Sequence, residues 1–262
     1  TVTDLNGLKY QDRNSDGSTR IQNFVRLQPG QPVGEFYGYK VIGLYRDAAD
    51  IAASPTDVNA RPGLFKYADV NGDGKISSDD KTFIGNPNPK FTGGFTLNVS
   101  YKNFDLNAFL YGSFGGKIFN YIKYWTYFPQ VFTGNVSADI LGPKVWKPGA
   151  DNSQATIPVL TRTANADNTG DPNSWYIESG TYVRLKSLTL GYTVPNSQIK
   201  ALGIKRLRFY LLANNLFTIT KYTGLDPELQ PSNLNNNTSF GIDFGNYPAG
   251  QKIYNIGVNA SF

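Results

Sequence analysis

The sequence predicts an all-β fold, a transmembrane antiparallel β-barrel crossed by strands of about ten residues, and three observations carry that prediction. From Tyr254 to Phe262 every even position is apolar, while Asn255, Gly257, Asn259 and Ser261 fill the odd ones. A hairpin, Phe95–Tyr101 followed by Phe104–Phe114, repeats this two-residue period on both arms. Long connections, at 121–174 and 223–250, alternate with short ones at Lys102-Asn103 and at 196–205, and that asymmetry separates the two rims of a membrane barrel.

Strict alternation places successive side chains on opposite faces, so each of these segments is a strand with one apolar and one polar side. A soluble sandwich shows the same period with its apolar face turned inward. The runner-up reading is therefore a secreted, calcium-stabilised β-sandwich that binds glycans. Strand length and the aromatic terminus favour the barrel.

Composition narrows the classes. The 262 residues are 40% apolar, 14% aromatic and 17% charged, with 27 Gly and 15 Pro, which fits neither a disordered chain nor a helical bundle. No run approaches the ~18 to 20 consecutive apolar residues of a membrane helix, so any crossing must be made by strands. There is no Cys, which excludes disulfides and thiolate chemistry, and no His, the commonest general base and zinc ligand. No convergent set of acids replaces them, so no enzyme is predicted. The net charge of +5 is spread thinly. Its densest group, Lys205-Arg206 with Arg208, is too short for a nucleic-acid patch. The chain has no Met and opens on Thr1-Val2-Thr3 without a signal-peptide pattern, so it is expected to be a piece of a longer protein.

In chain order, residues 1–29 are polar and turn-rich. Asp12, Asn14, Asp16 and Gly17 imitate the start of a calcium loop, but Thr19 and Asn23 stand where an apolar residue and a carboxylate are needed, so this is a turn. Pro32–Tyr45 is rich in aromatic and β-branched residues and interrupted by Gly, as bulged strands are. Arg46–Ala60 suits one short surface helix. Gly85-Asn86-Pro87-Asn88-Pro89 is a rigid, extended approach to the hairpin. The stretch 121–174 carries Tyr124, Trp125, Tyr127, Phe128 and Trp146 without periodicity, and its aromatics are expected to pack a small core of the loop's own. Tyr182–Val194 and Arg206–Phe217 are two further strands around the compact link 196–205, and 223–250 is a second long loop before the terminal strand.

The sharpest chemical motif is Asp69–Asp80. A calcium loop places oxygen ligands at positions 1, 3 and 5, a glycine at 6, a backbone carbonyl at 7 and a carboxylate at 12. Asp69, Asn71, Asp73, Gly74, Lys75 (through its carbonyl) and Asp80 meet those demands in order, and Ile76 supplies an apolar anchor at position 8. The closing ligand is Asp in place of the usual Glu, with Asp79 able to substitute. One structural Ca²⁺ is expected here, outside the membrane.

Taken together, Val33–Lys40, the calcium-like loop, Gly85–Pro89, Gly93-Gly94-Phe95, Tyr101–Leu106, Asn214–Phe217 and the final Phe262 resemble the C-terminal part of the SusC/RagA-type TonB-dependent outer-membrane transporters of Bacteroidetes. The resemblance covers essentially the whole chain. It implies a barrel of about 22 strands, of which this chain supplies about six, with residues 1–262 as the C-terminal segment and the C-terminus periplasmic. It further implies that the N-terminal remainder, absent from this chain, holds the plug, the other strands and the contact with TonB. A SusD-like surface lipoprotein is implied as a lid, outer-membrane lipid as the surroundings, and oligosaccharides or peptides as cargo. No cargo-contacting residue is carried over, because the long loops are where such transporters differ.

Overall fold

The computed structural model describes residues 24–26, 28–129, 134–160, 170–229, 240–245 and 250–262. The turn read at Asp12–Gly17 lies outside the described residues. In chain order the strands begin with β1 (Phe36–Gly38), β2 (Val41–Leu44), β3 (Phe65–Tyr67) and β4 (Thr82–Gly85). They continue with β5 (Phe91–Tyr101), β6 (Phe104–Phe114), β7 (Lys117–Asn120), β8 (Ile177–Ser179) and β9 (Tyr182–Thr193). The last are β10 (Arg206–Asn214), β11 (Thr218–Thr220), β12 (Ile242–Asp243) and β13 (Ile253–Ser261). Three short helices, α1 (Ala48–Ala52), α2 (Ile122–Tyr127) and α3 (Asn196–Ile199), complete the regular structure together with 3-10 turns. The chain divides into two compact units.

The first unit comprises 89–116, 179–230 and 247–262. It is one antiparallel sheet in the order β13-β10-β9-β6-β5, with the short β11 paired to β9. The sheet is open, with β5 and β13 at its edges. The β5–β6 hairpin closes through Lys102 at φ 53°, the left-handed conformation that a two-residue turn requires. Registry aligns the apolar residues into rows. Phe104, Tyr192, Phe209 and Val258 form one, and Leu106, Leu190, Leu211 and Ile256 the next. Phe95 (62% exposed), Val258 (54%) and Ile256 (83%) show that this face is open and not sealed against a second sheet. The opposite face carries Asn98 and Asn107, joined by a side-chain hydrogen bond from the Asn107 amide. The pairing of β6 with β9 slips between Phe109 and Leu110, so Lys186 is an extra residue on β9, a bulge that sharpens the local twist.

The second unit comprises 1–88, 117–178 and 231–246. Two antiparallel pairs, β1-β4 and β2-β3, accompany a three-stranded sheet β12-β7-β8 in which β12 runs parallel to β7. Both two-stranded pairs contain the register irregularities expected from the glycines of Pro32–Tyr45. The core is aromatic: Phe24, Phe36, Phe65, Tyr67, Phe119, Tyr121, Phe128 and Tyr176 are buried together, and Phe119 stacks on Tyr176 with ring centroids 5.3 Å apart. A smaller cluster of Ile140, Val145 and Ile157 lies in the long stretch 121–174, with Tyr127 and Trp175 against it. The expectation that the aromatics of that stretch pack a core of its own is met only in part: Tyr127 lies against this small cluster, whereas Phe128 is buried in the main aromatic core and Tyr124 packs against it. Gly38 is needed where β1 ends, because a Cβ there would overlap the Pro172 carbonyl, to which Tyr39 N donates at 2.9 Å.

Candidate functional site

Two features of the chain bear on function: the two-faced sheet and the 69–80 loop. On the polar face of the sheet, Arg184 of β9 is nearly fully buried. Its Nη2 donates to Asp226 at 2.5 Å, its Nη1 to Glu228 at 2.7 Å, and its Nε to the Thr218 hydroxyl at 2.8 Å. Lys186 adds a second cation on Glu228. Asp226 also accepts from Glu228 N at 2.8 Å and Gly250 N at 2.6 Å, so one carboxylate ties together the two feet of the loop that departs near 226 and returns at 250. Burying charges is tolerable because each is matched and hydrogen-bonded. The sequence offers no signal for this network, since Arg184 and the two carboxylates it engages are more than forty residues apart along the chain.

The 69–80 loop is folded by its own acids. Asp69 accepts from Gly72 N at 2.7 Å and Gly74 N at 2.8 Å, Asn71 from Asp73 N at 2.9 Å, and Asp73 from Lys75 N at 2.9 Å. Gly72 and Gly74 take φ of 75° and 78°, which keeps the turn tight without side-chain strain. Thr56 pairs with Lys75 as an isolated bridge, and Ile76 packs against the aromatic core, as the apolar anchor should. Asp80 is fully buried. Its Oδ1 accepts from Val70 N at 2.8 Å and Asn71 N at 3.4 Å, and its Oδ2 from Ser77 N at 2.8 Å, completing a capping box at the 3-10 turn Ser78–Asp80. Burial alone raises the Asp80 pKa, but these N–H donors outweigh it and hold the carboxyl below its ordinary range.

The predicted ligand set is thus gathered into one loop, with Asp69 beside Asp80. Among the described residues no group of three or more His, Cys, Asp or Glu side chains is placed to hold a metal ion. The predicted set is a mixed one of carboxylates, an amide and a carbonyl. Each carboxylate oxygen offers two lone-pair sites, and the backbone donors to Asp69 occupy one on each oxygen, so acceptor capacity remains on the loop.

No protein-family model matches the chain. It is 36% identical over 242 residues to TonB-dependent receptor P3 of Formosa agariphila, covering 90% of this chain and 23% of that protein. It is 32% identical over 264 residues to TonB-dependent receptor P26 of the same organism, covering 100% and 26%. With TonB-dependent receptor SusC of Bacteroides thetaiotaomicron the identity is 30% over 197 residues, covering 73% and 17%. Among solved structures, the RagAB peptide transporter superposes with a TM-score of 0.66 at 25% identity, over 92% of this chain and 24% of that one. The class defined by the two-faced sheet and these relatives is the TonB-dependent receptors, and the chain belongs to it. Within that class it is of the SusC/RagA type. It spans about a quarter of the length of the F. agariphila relatives that it matches.

Proposed function

We propose that the chain forms consecutive strands of the outer-membrane barrel of a TonB-dependent importer, with its apolar face toward lipid and its polar face toward the lumen. The observation that carries this reading is the sheet itself: five long antiparallel strands whose apolar residues are aligned in rows and left exposed. In water such a face is a liability, whereas in a bilayer it is the required surface. The rest of the barrel and the plug belong to the remainder of the protein, through which TonB acts, and the C-terminus lies in the periplasm. The whole protein imports oligosaccharides or peptides beneath a SusD-like lipoprotein. Peptide cargo is supported by the likeness to the RagAB peptide transporter, and a lipoprotein partner by the likeness to SusC.

In this reading the 69–80 loop holds one Ca²⁺ through Asp69, Asn71, Asp73, the Lys75 carbonyl and Asp80, and stiffens the outer surface where the lid rests. Its support is the ligand spacing and the gathering of these residues into one loop. The ion supplies charge neutralisation there and no transport chemistry. Uptake of labelled peptides and oligosaccharides by cells with and without the full transporter tests the function. Loss of uptake of one cargo class in the deletion strain is expected. Unchanged uptake of both would refute an importer of these cargoes.

A further inference from the structure

One corner of the sheet has chemistry that the transport reading does not use. On the apolar face, Phe104, Leu190, Tyr192, Phe209, Leu211 and Ile256 line a furrow of about 200 Å³ that runs across four strands. It lies close to the sheet end where the Lys102-Asn103 turn, the link between β9 and β10, and the end of β13 come together. Thr193 N donates to the Asn103 carbonyl at 2.8 Å, and Lys205 N to the Ser261 carbonyl at 2.7 Å. This rim is cationic, with Lys102, Lys200, Lys205 and Arg206 all exposed. No Asp or Glu occurs from Tyr182 to Leu225 or from Gln251 to Phe262. The acid nearest the hairpin turn, Asp105, is already engaged by Arg208 in two hydrogen bonds. Lys102 Nζ lies 5.3 Å over the ring of Tyr101, an exposed residue of the apolar face, so this ammonium leans toward the side that carries the furrow.

An apolar furrow beside exposed cations, one of which, Lys205, donates through Nζ to the Phe262 carbonyl at 3.0 Å, is complementary to a molecule that joins a hydrocarbon chain to an anionic head. We propose that this corner binds an anionic glycerophospholipid, with part of one acyl chain in the furrow and its phosphate over Lys102 and Lys205. The proposal rests on the reading that the apolar face meets lipid. Hydrocarbon burial supplies the bulk of the affinity, and the cations select the headgroup. Phosphate joined to acyl chains also occurs in lipid A, so the test separates the two sources.

Native mass spectrometry of the full transporter in detergent would count lipids retained when phosphatidylglycerol, phosphatidylethanolamine or lipid A is added. Preferential retention of phosphatidylglycerol is expected. The preference should weaken about fivefold for each of Lys102→Gln and Lys205→Gln, and Leu211→Trp, which fills the furrow, should lower retention of phosphatidylglycerol and phosphatidylethanolamine alike. Equal retention of phosphatidylglycerol and phosphatidylethanolamine by the wild type, an undiminished preference in the double lysine variant, or stronger retention of lipid A would overturn the proposal. Fractionation of the same samples distinguishes the two readings. A protein absent from the outer membrane defeats the barrel reading, and one that is inserted and transporting without lipid preference defeats only this site.

Discussion

Asp105 on β6 and Arg208 on β10 meet across the intervening strand β9. Arg208 Nε donates to one carboxylate oxygen at 3.0 Å and Nη2 to the other at 2.5 Å. The path between them runs over Gly191, which stands opposite Asp105 in the register, and a Cβ at Gly191 would overlap both side chains. The same row continues through Tyr210, whose ring lies where a side chain on Gly257 would stand. Two glycines thus let two long side chains lie flat along the polar face and tie four strands together.

Gly191→Ala should therefore break the bridge as surely as changing either charge. Both Gly191→Ala and Asp105→Asn are expected to lower unfolding stability by about 1–2 kcal/mol, because the pair is bidentate but partly exposed. Urea unfolding of the full transporter in detergent checks this. In a double-mutant cycle the two changes should be strongly non-additive, and full additivity would show that the bridge is not the reason for the glycine.

Arg184→Ala should free the loop that leaves near 226 and returns at 250. It removes the cationic partner of a nearly fully buried Asp226, for which a cost of about 3–5 kcal/mol is typical. Hydrogen exchange at the Gly250 amide, which donates to the same carboxylate, should accelerate sharply. Unchanged exchange there would mean that the loop feet are held by something else.

Acid should open the 69–80 loop late. The Asp80 carboxyl is held below its ordinary pKa in the folded state, so its contribution is present above about pH 4 and is lost only as pH falls through the lowered value. Exchange of the Val70 and Ser77 amides, its donors, should stay slow at pH 5 and rise only at stronger acidity. Asp80→Asn should make their exchange independent of pH across this range, apart from the intrinsic rate. Loss of protection already at pH 5 in the wild type would assign the control to another group.

Removing Ca²⁺ tests the ligand assignment directly. Chelation is expected to loosen the 69–80 loop and weaken docking of the lid while the strands remain folded, and Asp73→Ala should reproduce this with calcium present. An affinity on the order of 10⁻⁴ to 10⁻³ M suffices for an extracellular site. A loop insensitive to both calcium and the substitution would reduce the motif to a turn.

The strands were legible because a half-exposed sheet writes its period into the chain. The terminal alternation appears as β13 (Ile253–Ser261), and Lys102-Asn103 is the hairpin turn. Strand β5 starts at Phe91, earlier than the alternation from Phe95, because Thr92, Gly93 and Gly94 pair through their backbones and leave no side-chain pattern. The short helix near Arg46–Ala60 is found as α1, with Asp47 capping it. Among the elements that escaped are the short strands β3, β4, β7, β8, β11 and β12, each of two to four residues and too short to show a period, and α2, which is half-buried among aromatics with no capping side chain. The calcium-like loop was readable from spacing, since its contacts are local. The Asp105–Arg208 and Arg184–Asp226 pairs were not, since strand order alone brings them together.

In the proposed barrel the alternating faces meet lipid and water respectively. This chain has no native cysteine, so single cysteines placed along β13 and β6, in a full transporter whose remaining chain has been cleared of cysteine, give a clean readout in outer membranes. Probes at Leu106, Ile256 and Val258 are expected to be quenched by a lipid-soluble agent and shielded from a water-soluble thiol reagent, while Asn107, Asn255 and Asn259 show the reverse. Uniform reactivity with the water-soluble reagent, or protection of the apolar positions from both agents, would contradict it.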